Sequence, residues 1–245
     1  MAVSHADDLG TQARFIFRGT IARLRATTMP AVAVTDSTAV VRVEEVLQAP
    51  DALGDPKGQE ITVELSALPQ AQEGQRAIFF TDPWLYGESL AVREWERRVD
   101  WGDDASLRRQ IADAAERQQD DALRRRLAMA VAVVAGRVYN NRPAAVYTAQ
   151  RVSEHDPQWW EALIAVDVVV KGQISAPTVT VLFANSMDIV WFRAPKLRVG
   201  QDGVWLLHHE PVPGASVVTL AIGDSLDAQP RDQLDRIRRL LGVSS

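Results

Sequence analysis

The stretch "GQRAIFF" at residues 74–80 returns as "GQDGVWLL" at 200–207. A Gly-Gln turn before a compact apolar run is common, so the flanking segments decide whether a larger unit repeats. Those segments match in order and in kind. Apolar–Gly–x–apolar occurs as Phe17-Arg18-Gly19-Thr20-Ile21 and as Ala135-Gly136-Arg137-Val138. Val43-Glu44-Glu45-Val46-Leu47-Gln48 aligns with Val166-Asp167-Val168-Val169-Val170-Lys171, and Ile61-Thr62-Val63 with Val179-Thr180-Val181. Four matches in one order imply a duplicated unit.

Each copy reads as five short strands, because apolar residues alternate and turn residues separate the runs. The first copy runs "ARFIFRGTIARL", "TAVVRVEEVL", "QEITVEL", "GQRAIFF" and "ESLAVRE". The second runs "AVAVVAGRVY", "ALIAVDVVVKG", "PTVTVLF", "GQDGVWLL" and "ASVVTLAI". Gly19 and Gly136 interrupt the opening strands at positions suited to a bulge or sharp bend. A helix-like stretch follows each copy, "DDASLRRQIADAAERQQDDALRRRLA" and "RDQLDRIRRLL". The first is predicted over about 104–128, with Asp103 or Asp104 as N-cap. Its imperfect apolar stripe is Leu107, Ile111, Ala114, Ala115, Leu123 and Leu127. Asp113–Arg117, Asp120–Arg124 and Asp121–Arg125 are spaced for i,i+4 pairs, each worth a few tenths of a kcal/mol. The dense charge reads as a solvated face.

Five strands with a glycine-bent first strand predict a small Greek-key barrel of the OB type. The fold class is therefore mainly β with helices: two tandem OB-like Greek-key barrels, each followed by a helix. The expected boundaries are an N-terminal tail at 1–12, a first barrel at 13–95 and a connecting helix at 96–128. A second barrel follows at 129–222, then a C-terminal helix and tail at 223–245. The order of "IAVDVVVKGQ", "PTVTVLF" and "GQDGVWLL" also resembles netrin-like, or TIMP-like, domains, and "VRVEEVLQAP", "QEITVEL" and "GQRAIFF" repeat that order. The resemblance implies the barrel fold and a habit of binding macromolecules. Metalloproteinase inhibitors of that family act through an N-terminal cysteine, and this chain has none, so no inhibitory residue carries over.

At 245 residues the chain has room for two such domains, each with its own core. A net charge of −5 argues against coating nucleic acid or anionic membrane by bulk electrostatics. The absence of cysteine excludes disulfides, thiol catalysis and cysteine-based zinc sites. No stretch approaches the roughly 18 apolar residues that span a bilayer, so no membrane insertion is expected. "MAVSHADDLG" has neither a basic nor an apolar signal region, which predicts a cytoplasmic protein. A mature exported form whose signal has been removed is the alternative.

No residue set points to catalysis. His155 and Asp156 in "SEHDPQWW" read as a loop with Asp156 capping a turn, and no nucleophile elbow accompanies them. His208 and His209 are adjacent, so on a strand they face opposite sides and do not share a metal. The pairs Glu44–Glu45 and Asp103–Asp104 read as solvent charge or caps. Nucleotide-binding glycine motifs are absent, and no cofactor or metal is expected. The aromatic residues remain. Trp159 and Trp160 fall where an OB barrel places its first long loop; Trp84 and Tyr86, in "TDPWLYGES", fall in the last hairpin of the first copy. Those regions contact ligands in OB folds, so one reading makes the four residues a binding rim. The other, which tandem barrels favour because their junction needs apolar residues, packs them against the partner domain or the helices. The expected function is a non-catalytic accessory protein recognising a protein, peptide or glycan. Single-stranded nucleic-acid binding is the alternative: acidity and three lysines disfavour it, while 24 arginines would permit it if gathered on one face.

Overall fold

A computed structural model describes residues 13–66, 71–99, 104–144, 157–188, 190–210 and 219–243. Strands β1 (Phe15–Leu24), β2 (Thr38–Gln48), β3 (Glu60–Glu64), β4 (Arg76–Tyr86) and β5 (Leu90–Arg98) close into a barrel in the order β1-β2-β3-β5-β4. Every pairing is antiparallel except β3 with β5. The same order returns in β6 (Ala132–Pro143), β7 (Trp159–Lys171), β8 (Thr178–Ala184), β9 (Asp202–Glu210) and β10 (Thr219–Ile222). There β8 with β10 is the parallel pair, and β10 with β9 closes the ring. A short strand β11 (Ala228–Pro230) extends β9. Helices α1 (Asp104–Met129) and α2 (Leu234–Leu241) follow the first and second barrels. The chain divides into two compact units, Met1–Gln119 and Asp120–Ser245. None of the described helices is long and apolar enough to cross a membrane.

The repeated Gly-Gln phrase builds one local device twice. Gly74 and Gly200 sit at φ of 79° and 87°, a region costly for residues with a Cβ. Gly74 N–H donates to Ile21 O and Gly200 N–H to Val138 O, each at 2.8 Å. The glutamine after each glycine then folds its side chain back. Gln75 Oε1 accepts from Gln72 N–H at 3.3 Å, and Gln201 Oε1 from Arg198 N–H at 3.0 Å. The turn delivers β4 and β9 beside the first strand of their barrels in the same register. Phe79 lies opposite Phe17, and Trp205 opposite Val134.

The glycine bends are required by space. A Cβ on Gly19 would lie 2.6 Å from Arg42 O, and one on Gly136 only 2.0 Å from Ala165 O. A bulge precedes each glycine, after Arg18 and after Ala135. The strand therefore curls over its neighbour only where no side chain intervenes, which is how a short sheet turns its corner into a barrel.

Alternate residues fill the interiors. In the first barrel Phe15, Phe17 and Phe79 stack at centroid separations of 4.7 and 5.0 Å. Their counterparts in the second are Ala132, Val134 and Trp205, so one large indole replaces part of the stack. The position two residues before the ring, on the same face, compensates: it is Ala77 ahead of Phe79 but Gly203 ahead of Trp205, where a Cβ would meet the indole at 2.8 Å. Each fully buried aromatic contributes roughly 1.5–3 kcal/mol by leaving water.

The imperfect stripe of α1 reflects two duties. Leu107 and Ile111 pack with Ile16, Ile78 and Phe80 on the first barrel. Leu123 and Leu127 pack with Val133, Ala135, Val204, Leu206 and Ile237 of α2 on the second. The unit boundary falls in the charged turn between these patches. Two of the expected i,i+4 pairs take other partners. Asp120 accepts from Arg236 of α2, and Asp121 pairs with Arg124 at i,i+3. A partner from another helix and a shorter spacing both aligned better than the predicted arginines. Asp103 lies outside the described residues.

Candidate functional site

The β4–β5 hairpin carries two irregularities. Pro83 pairs with Val92 and Leu85 with Ala91, so Trp84 is the extra residue on β4. Phe80 pairs with Glu96 and Thr81 with Glu94, so Trp95 is the extra residue on β5. A bulge leaves its additional residue out of the ladder and re-aims its side chain. Proline, which has no N–H to donate, is tolerated at such a break. The two bulges turn both indoles outward, leaving Trp84 38% and Trp95 52% exposed. Between them lies a recess of about 450 Å³ lined also by Arg14, Asp82, Pro83, Arg93 and Glu94. Tyr86, at the end of the same strand, is 68% exposed.

Charge around the recess is largely self-neutralised. Arg93 lies over the Trp84 ring, its guanidinium carbon 4.4 Å from the centroid, and its Nε donates to Glu64 at 2.8 Å. Arg14 Nε donates to Asp82 at 3.1 Å. Beneath them Glu94 is buried against Arg97 at 3.0 Å and accepts from Ser66 Oγ at 3.1 Å. Burial pushes the Glu94 carboxyl above its ordinary value, against the opposing pull of Arg97 and Ser66. Other arginines of this barrel are also tied to neighbouring carboxylates: Arg18 to Glu45, Arg76 to Glu44 and Arg23 to Glu60. Glu44 is held below the usual carboxylate range by Thr20 and Arg76 despite partial burial. For Glu45, partial burial pushes upward but Arg108 and Arg18 outweigh it. The adjacent pair Glu44–Glu45 is thus cross-strand charge.

Trp159 and Trp160 begin strand β7, whereas the sequence places them in a loop just before it. Pairing with Ala184 and Phe183 of β8 draws them into the sheet. They face opposite ways and both are half-buried. Trp160 tilts against Phe183 at 6.4 Å and joins the barrel core; Trp159 meets Trp191 edge-on at 5.6 Å and packs on Ala144, Leu182 and Ala221. The structure therefore places Trp84 and Tyr86 on β4 and Trp95 on the paired strand β5, and the Trp159–Trp160 pair in the other unit. Trp95, Arg93 and Arg14 escape sequence reasoning. For Trp95 and Arg93 the signal is parity: in "AVREWERR" the tryptophan shares its face with Arg93 while Val92 and Glu94 point inward.

The second barrel holds a different polar cluster. Between β10 and β11 a turn of 3-10 helix, Ser225–Asp227, carries Asp227 into full burial. Its carboxylate accepts from Arg126, from the Gly223 and Asp224 N–H groups at 2.9 Å each, and lies 2.9 Å from His208 Nε2. Burial pushes this carboxyl up, but Arg126 and the backbone donors outweigh it and hold the group below its usual range. With both oxygens engaged, Asp227 clamps α1 to the barrel. His209, on the other side of β9, is exposed. Among the described residues no group of three or more His, Asp or Glu is placed to hold a metal. His155 and Asp156 lie outside the described residues. No protein-family model matches the chain, and no curated protein matches it.

Proposed function

We propose that this protein is a non-catalytic binding protein whose first barrel presents Trp84, Trp95 and Tyr86 to a protein, peptide or glycan partner. One observation carries the reading: two bulges, one on each strand of the hairpin, each expose a tryptophan beside the same recess. Exposed indoles have no folding benefit that requires them there, but they supply large, rigid contact area at low entropic cost. Arg93 stiffens one of them by stacking on its face. Because Arg14 and Arg93 already bond carboxylates, the platform favours a neutral or weakly charged ligand over a polyanion. The same pairing weakens the nucleic-acid alternative, which needs arginines free to neutralise phosphates.

The test is a panel of immobilised peptides and glycans probed with the whole protein and with Trp84→Ala and Trp95→Ala. A hot-spot truncation of about 2 kcal/mol lowers affinity roughly 30-fold without moving the thermal midpoint. Retention of a specific ligand by the double variant would refute the site. Sub-micromolar binding to single-stranded oligonucleotides at physiological salt would instead favour the alternative.

A further inference from the structure

The turn between β8 and β9 exposes apolar side chains in close succession: Met187 is 80% exposed, Val190 61% and Phe192 57%. Its base is well built. Asp188 accepts from Val190 N–H at 2.9 Å, and Lys196 Nζ donates to the carbonyls of Trp191 and Ala194, each at 2.9 Å. Trp191 turns back onto Trp159, and Ala194 and Leu197 are buried. The rigid base holds three large apolar side chains in water, which is unfavourable unless something covers them.

We propose that this turn docks on the surface of an anionic phospholipid bilayer, with Met187, Val190 and Phe192 entering the headgroup boundary and Arg193 and Arg198 facing lipid phosphates. Charge favours this occupant. Residues 186–200 carry one acid and three bases in a chain of net charge −5. Arg193 and Arg198 are both exposed. Size favours it too: three side chains fall well short of the roughly 800 Å² that each partner contributes to a stable protein interface. A few apolar side chains with flanking basic ones suffice for reversible attachment to a membrane surface. The contact is peripheral and belongs to the second barrel, whereas the tryptophan recess belongs to the first.

The test floats the full chain with vesicles of phosphatidylcholine alone and of phosphatidylcholine mixed with phosphatidylserine. The wild type should float with the mixed vesicles, less with the neutral ones, and less again as salt rises. Met187→Ser with Phe192→Ser should lower partitioning about tenfold or more. Arg193→Ser and Arg198→Ser should each lower it about fivefold, and Val34→Ser on the first barrel should leave it unchanged. All these side chains are exposed, so every variant should fold. The proposal is overturned if the wild type floats with neither vesicle or if the loop variants float like the wild type. It is equally overturned if the loop variants only dissolve a protein oligomer seen by light scattering.

Discussion

On the first barrel, β5 runs unbroken from Leu90 to Arg98 and ejects Trp95 at a bulge. On the second, the equivalent strand breaks after Ile222, turns through Ser225–Asp227, and resumes as β11 beside β9. Register makes the positions comparable. Asp82 pairs with Arg93 in one barrel, and His208 with Ala221 in the other. At that place the first barrel displays arginine and tryptophan around an open recess, while the second buries Asp227 under Arg126 and His208. One duplicated scaffold thus uses the same edge for display in one copy and for attachment of a helix in the other. The interior is conserved in shape and the edge diverges, because only the interior must close a ring.

The largest effect should come from the corner both barrels share. Gly136→Ala drives a methyl to 2.0 Å from a backbone oxygen, and loss of more than about 4 kcal/mol is expected. Gly19→Ala, at 2.6 Å, should cost about 2–3 kcal/mol. Denaturant melts of both variants check the order; a mild Gly136→Ala would mean that the two corners are not equivalent devices.

Next in size is the buried Asp227 clamp of the second barrel. Asp227→Ala removes the buried carboxylate that Arg126, His208 and two backbone N–H groups share, and should destabilise by about 3 kcal/mol or more. Hydrogen exchange should report the loss in β9 and the C-terminal half of α1, with β1 and β4 unaffected. Uniform loss across both barrels would break the contrast.

The tryptophans sharpen the comparison further. Trp160→Ala removes a ring packed against the core and should cost about 3 kcal/mol, whereas Trp84→Ala should cost less than about 1 kcal/mol. Thermal melts of the two proteins decide it. Equal losses would assign Trp84 to packing and remove it from the recess's function.

The smallest effect is one of pH. Glu94 has its carboxyl raised above 4.5, so the folded state binds a proton that the unfolded state has released, and stability falls as pH rises through that window. Asp227 is held below 3.8, so its contribution is present above that value and lost as pH falls through the folded one. Acidification from about pH 7 toward 4.5 should therefore slightly stabilise the first barrel, and further acidification should weaken the second. Exchange rates in β4 and β9 across pH measure this; a Glu94→Gln variant should abolish the first trend.

Much of the scaffold was legible without coordinates. Phe17-Arg18-Gly19 and Ala135-Gly136, the Val-rich second strands and the two Gly-Gln turns occupy equivalent places because each is a local pattern. Period-2 alternation, a residue lacking Cβ and a glycine at positive φ act within a few neighbours. The aromatic residues were legible only in part. Trp84 and Tyr86 could be placed on a hairpin, and alternation puts Trp95 on the outward face with Arg93, but the register that sets it against β4 includes a skipped position, a matter of pairing. Trp159 and Trp160 were readable as adjacent and opposed, yet their entry into β7 depends on pairing with β8 on one side and with the end of β6 on the other.

The chain by itself determined the duplication, the order of strands, the corners and the alternation that separates inside from outside. Tertiary structure alone decided which charges meet and which indoles reach water. Arg126 finds Asp227 across 101 residues, and Asp120 finds Arg236 across 116. No local propensity encodes a pair at such separation. It forms because barrel closure brings strand edges and helix faces together, and buried charge is tolerated only where that closure supplies a partner.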